Sequence, residues 1–148
     1  MDSLTHGGPG SGRYPKGSGK KNEIHFKVKE HKKSGEIVYT FKNDKKRKIG
    51  IAYVDKITND LAELNWISIK NKYRGQGYAQ KALQYIEKDV MNRKYKEIVL
   101  DALEDSPDAV HIYKKFGYTP IEKTKTIDNG LTLTKMKKRL SRWYRWMK

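Results

Sequence analysis

The chain has no cysteine. That excludes a disulfide scaffold, a zinc site built on thiolates and a cysteine nucleophile. No apolar run approaches the length of a membrane-spanning helix. Hydrophobic residues are scarce, at 36%, below the usual share for a globular chain. The amino terminus has no apolar stretch of the kind a secretory signal needs. These absences lead us to expect a soluble, cytoplasmic protein. Acid is scarce as well. Asp and Glu total 17 against 33 Lys and Arg, so the formal charge is +16. What remains is 148 residues, enough for one modest core but not two. Aromatics reach 11%, with ten Tyr, which argues against a wholly disordered chain.

The positive charge is clustered. Lys45, Lys46, Arg47 and Lys48 form one run. The segment from Lys135 to Lys148 holds seven cations and no acid, with Trp143, Tyr144 and Trp146 interleaved. Such a segment can grip phosphates and stack on bases, dock on an acidic partner, or lie on an anionic membrane surface. It can equally be a solvated strand end and tail. Residues 1–22 are rich in Gly and Ser and become basic through Arg13, Lys16, Lys20 and Lys21. They cannot offset their ordering entropy with buried apolar area, so they are expected to be a disordered arm. The stretch from His6 to Lys21 resembles Gly-rich leaders of some phage head-associated proteins. That resemblance leaves a phage or prophage origin open beside a plain flexible linker.

Order is expected from Glu23. Ile24, Phe26 and Val28 alternate with polar residues, the period of a half-buried strand. Ile37, Tyr39 and Phe41 repeat the pattern, as do Ile49, Ile51 and Tyr53. Leu61 to Ile69 makes a fourth strand, and short links predict an antiparallel meander. The period then changes. Ala79, Ala82, Leu83, Ile86 and Val90 recur at helical steps, predicting an amphipathic helix from Gly75 to about Arg93. Ile98, Val99 and Leu100 make a short buried strand. Ser106 suits an N-cap, Pro107 the first helical position and Gly117 the position past the end of a second helix. Tyr118–Lys125 and Leu131–Lys138 flank Asp128-Asn129-Gly130, a hairpin signal.

The most informative stretch runs from Trp66 to Ala79. A strand ends, a basic loop follows and glycines open a helix. Gly75 and Gly77 let the backbone take positive φ and approach an anion closely. The first N–H groups of the helix and its dipole then favour a phosphate, and Arg74 adds a guanidinium. The spacing fits neither the P-loop nor the dinucleotide fingerprint.

Arg74-Gly75-Gln76-Gly77-Tyr78-Ala79 resembles the Q/R-x-x-G-x-G/A signature of the GCN5-related N-acetyltransferases. Ala109-Val110-His111-Ile112-Tyr113-Lys114-Lys115-Phe116-Gly117-Tyr118 resembles the family's second signature, a helix ending in Tyr-x-x-x-Gly-aromatic. The likeness runs from about Ile37 to Met136. It implies an α+β fold with a mixed, mostly antiparallel central sheet of about seven strands and two main helices. The domain is expected over 23–140, with a basic aromatic tail at 141–148. The family's usual one or two helices between the first two strands are missing, because only a turn separates Val28 from Ile37.

The resemblance further implies acetyl-CoA as co-substrate and no metal. The backbone of Arg74, Gly75, Gln76, Gly77, Tyr78 and Ala79 would hold the pyrophosphate. The backbone of Ile67 and Ile69 would pair with the pantetheine, admitted by a bulge or splay against Glu97–Asp101. Tyr113 falls where the family places its general acid; otherwise it simply fills an apolar helix face. Glu63 is the candidate general base, on strand parity that puts it on the face of Ile67 and Ile69. The alternatives are a solvent-facing Glu with water as base, or Asp101 or Glu104. Ser106 either bonds the cofactor or only caps its helix. His111 is expected at the surface, and His25 and His31 lack metal-ligand spacing.

Two functions follow. The first is an acetyl-CoA-dependent N-acetyltransferase with direct, ternary-complex transfer to a primary amine. The acceptor is open: a small molecule, a protein or an RNA-borne amine. The second is a nucleic-acid-binding or phage-associated structural protein on the same scaffold, using its basic ends. Polyamine acceptors are disfavoured by the strong positive charge. A monomer or a homodimer through an exposed sheet edge is compatible with the pattern.

Overall fold

The computed structural model describes residues 23–103, 108–126, 130 and 132–140. The proposed arm at 1–22, the tail at 141–148 and the cap at Ser106 and Pro107 lie outside these residues.

The alternating segments form strands where expected. They are β1 (His25–Glu30), β2 (Ile37–Lys42), β3 (Lys48–Lys56) and β4 (Leu61–Ile69). Each pairs antiparallel with the next. The helical period becomes α1 (Tyr78–Asn92), followed by β5 (Glu97–Leu103), α2 (Asp108–Lys115), β6 (Thr119–Thr126) and β7 (Thr132–Arg139). The seven strands make one sheet in the order β1-β2-β3-β4-β5-β7-β6. β4 and β5 are parallel, and every other neighbouring pair is antiparallel. β7 slots between β5 and β6, so β5-α2-β6 is a second parallel crossover. Right-handed crossovers taken in the same direction put both helices on one face of the sheet.

That face holds the core. Ile37, Tyr39 and Phe41 of β2 lie beside Val54, Ala52 and Gly50 of β3, and these beside Leu64, Ile67 and Ile69 of β4. Ala79, Ala82, Leu83, Ile86 and Val90 of α1 and Ile112 and Tyr113 of α2 join the same buried cluster. The opposite face carries Val38, Thr40, Ile51, Tyr53 and Trp66, all at least partly exposed. No described helix lies over it.

β4 carries a bulge. Tyr53 pairs with Trp66 but Val54 pairs with Leu64, leaving Asn65 as the extra residue. The bulge reverses strand parity. Ala62 and Leu64 are buried before it, Ile67 and Ile69 after it. Glu63 therefore faces away from Ile67 and Ile69, which corrects the same-face expectation. Simple alternation holds only along an unbroken strand.

Two polar clusters tie α1 to the sheet. Glu87 is 2% exposed within the apolar side of α1. It accepts hydrogen bonds from the Tyr118 hydroxyl and the Lys138 ammonium, both at 2.7 Å. Asp89 accepts from the Tyr39 hydroxyl at 2.6 Å and from Arg93 Nε at 2.8 Å. Arg93 also reaches Glu30 of β1 at 2.9 Å. Burial, and then the bond to Asp89, raise the Tyr39 pKa far above the ordinary phenol value.

Removing the Glu87 carboxylate strands a half-buried ammonium and a buried hydroxyl. Glu87→Ala is expected to lower unfolding free energy by about 3–5 kcal/mol in urea titrations, with Glu87→Gln costing less. Tyr39 carries a pH signature as well. Its folded-state pKa is raised, so the fold favours the neutral phenol. Above about 10, the ordinary phenol value, the unfolded chain loses that proton while the fold retains it. Stability is therefore expected to fall as pH rises past about 10. In thermal melts across that range, Tyr39→Phe should show a shallower decline of Tm with pH.

Candidate active site

β4 and β5 are held together only from Leu61↔Glu97 to Leu64↔Leu100. Beyond that point β4 continues to Ile69 and β5 to Leu103, with no pairing between them. The strands part where the bulge sits, which is the splay expected from sequence. The Lys70 N–H donates to the Ile49 carbonyl at 2.8 Å, so Lys70 directs its backbone polar groups at β3. Backbone direction alternates along a strand. Ser68 therefore also faces β3, while Ile67 and Ile69 turn theirs into the gap. Consistently, Arg74 of the following loop donates from Nε to the Ile69 carbonyl at 3.3 Å.

The loop closes the mouth of that gap. A short 3-10 turn over Asn71–Tyr73 leads to Gly75 at φ 77° and Gly77 at φ 81°. Both angles lie in the left-handed region that glycine adopts without steric cost. Gly77 is the N-cap of α1, and no acidic side chain lies in the first turn of that helix. The first N–H groups of an α-helix point out of its start, and the positive end of the helix dipole lies there. Lys70, Lys72 and Arg74 lie on the loop that leads into it. Gln76 is exposed and its amide donates to the Lys72 carbonyl at 3.4 Å. Tyr78 and Ala79 are buried at the helix start. The residues present thus suit a diphosphate: main-chain donors, no carboxylate in the first turn, cations around and backbone that approaches closely.

Tyr113 lies on α2 with its ring 6% exposed. It meets the Tyr118 ring edge-on at 5.6 Å between centroids. Burial raises its pKa, so the hydroxyl keeps its proton. Among the described residues that hydroxyl has no hydrogen-bond partner. The ring fills the core, and its hydroxyl keeps the proton that an acid role would need.

Glu63 sits on the open face, one residue before the strands part. Its neighbours across the sheet are Asp55 on β3 and Val99 on β5. Asp55 was not singled out from sequence; it stands beside Glu63 only because of strand register. Asp101 is engaged by Lys135 at 3.5 Å. Ser106 and Glu104 lie outside the described residues. His111 is exposed, and no group of His, Asp or Glu suited to a metal occurs among the described residues.

The sheet is split between two parallel strands, with a glycine-opened helix after the first of them. Comparison with known proteins identifies the family. The profile of the acetyltransferase (GNAT) domain matches residues 23–140, and the chain belongs to this family of N-acetyltransferases. Solved structures share its fold. A GNAT family acetyltransferase from Elizabethkingia anophelis with acetyl-CoA bound superposes with a TM-score of 0.65 at 19% identity, covering 71% of this chain and 76% of that one. The spermidine/spermine N-acetyltransferase SpeG from Vibrio cholerae, in complex with manganese ions, gives 0.67 at 20%, covering 76% and 70%. An acetyltransferase from Bacillus cereus gives 0.61 at 23%, covering 71% and 73%. No curated protein matches the chain by sequence.

Proposed function

We propose that the chain transfers an acetyl group from acetyl-CoA to a primary amine, directly within a ternary complex. The observation that carries this reading is the parting of β4 from β5 at the glycine-opened start of α1. The amides from Arg74 to Ala79 would bind the pyrophosphate. The backbone of Ile67 and Ile69 would pair along the pantetheine arm. Bound there, the thioester supplies an activated acyl carbon.

The amine nitrogen forms a bond to that carbon, and the carbon–sulfur bond breaks. A backbone N–H in the gap stabilises the oxyanion in between. Glu63, or a water beside it, takes the proton the amine loses. Tyr113 gives its proton to the departing sulfur. These two residues stand on opposite sides of the sheet, Glu63 on the open face and Tyr113 among the helices. A substrate threaded through the splay would lie between base and acid. Asp55 beside Glu63 adds a second negative charge that would draw an ammonium toward the gap before it is deprotonated. SpeG acts on spermidine and spermine, but a chain of +16 repels free polycations as a whole. A single amine on a larger, less cationic molecule suits it better.

Calorimetric titration of acetyl-CoA is expected to show binding to the wild-type chain. Gly77→Asp places a carboxylate against the pyrophosphate and should weaken it at least about a hundredfold. Absence of binding in wild type would sink the reading. With an acceptor found by screening for CoA release, Tyr113→Phe should lower kcat by about 10²–10⁴ with little change in acetyl-CoA affinity.

A further inference from the structure

Among the described residues, the sheet is covered by helices on one side only. Its open face is built from the outward residues of β1 to β4 in a fixed grid. Lys29, Val38, Tyr53 and Trp66 form one row across the four strands, and Lys27, Thr40, Ile51 and Ser68 the next. Trp66 is 37% exposed. Tyr53 is its cross-strand partner, so the two aromatics stand on neighbouring strands about 5 Å apart at their Cβ atoms.

The charges on this face are distributed unequally. On the helix-covered side and toward β7, acids and bases are paired: Glu87 with Lys138, Asp89 and Glu30 with Arg93, Glu97 with Lys137 and Asp101 with Lys135. Lys27, Lys29 and Lys42, along the β1–β2 margin of the open face, make no ion pair among the described residues. The run Lys45–Lys48 continues this margin past Lys42 toward Lys70, since Lys70 N–H bonds Ile49. A diphosphate-bearing cofactor needs only the loop cations, so this margin is surplus to it.

We propose that the open face is a platform for single-stranded RNA. Bases would stack on Trp66 and Tyr53. The backbone would run along the β1–β2 margin, with its phosphates against Lys27, Lys29 and Lys42. Stacking on sheet-borne aromatics with a cationic track beside them is how single strands are held without sequence readout. Thr40 and Ser68 flank Ile51 within the grid and offer hydroxyls to the 2′-OH, the group that separates RNA from DNA. Asp55 and Glu63, at the other end of the face, keep phosphates off the splay. The inference does not rest on acetyl transfer, and its test reads binding alone.

The test is fluorescence anisotropy of a labelled ten-nucleotide oligouridine with the full chain, at several salt concentrations. Binding is expected, weakening with salt. Trp66→Ala should reduce affinity about 5- to 150-fold, and Trp66→Phe should restore most of it. Lys27→Glu with Lys29→Glu should flatten the log–log salt slope by about 0.7 per lost phosphate contact. All three substituted side chains, Trp66, Lys27 and Lys29, are exposed, and matching Tm values would confirm intact folds. The proposal is overturned if no RNA binds, or if Trp66→Ala binds as tightly as wild type, which would place binding on charge elsewhere in the chain. It is overturned as well if an oligothymidine of the same length binds equally, or if an acidic peptide of equal charge displaces the RNA at equal concentration.

Discussion

The parallel ladder between β4 and β5 ends after Leu64 and Leu100, and the site depends on that ending. Parallel pairing costs little to extend in a regular sheet, so something must stop it. The bulge at Asn65 does so, by bending β4 and increasing its local twist. Two consequences follow from one extra residue. The backbone of Ile67 and Ile69 is turned into an open gap, and Glu63 is thrown to the face opposite them. A regular strand would have closed the gap and put the carboxylate in the core, where it would have been costly.

α1 must be held firmly for the loop before it to present its amides. Its apolar stripe supplies most of the attraction, but two carboxylates set its position. Glu87 joins it to Tyr118 and Lys138, and Asp89 joins it to Tyr39 and, through Arg93, to Glu30. Breaking either cluster leaves a polar group without compensation, so each fixes the helix more sharply than apolar packing alone. The Glu87 cluster also bears on α2, because Tyr118 packs edge-on against Tyr113. The phenol and the glycine loop are thus referred to a common helix.

The second face, over which no described helix lies, has a different effect. Family members usually carry helices after the first strand; here the chain turns directly from Glu30 to Ile37. The face keeps Trp66 and Tyr53 at least partly exposed, beside lysines that make no ion pair among the described residues.

Much of this was legible in the chain itself. Period-two alternation located β1 to β4 and the 3.6 period located α1, while an apolar run, helix-end residues and the Asn-Gly turn located β5, α2 and the β6–β7 pair, because backbone conformation and the burial of alternate side chains are local properties. The left-handed glycines at 75 and 77 and the position of Tyr113 on α2, from which the candidate site is read, were legible because an N-cap and a helix-borne phenol are written in contiguous residues. Tertiary structure alone decided the rest. Parity along Leu61–Ile69 gave the wrong face for Glu63, since a bulge arises from how many residues the partner strand offers, and Tyr53 and Val54 are remote in sequence. The pairing of Asp55 with Glu63, the insertion of β7 between β5 and β6, and the burial of Glu87 against partners 31 and 51 residues away are all products of register and packing between distant segments, which no local pattern encodes.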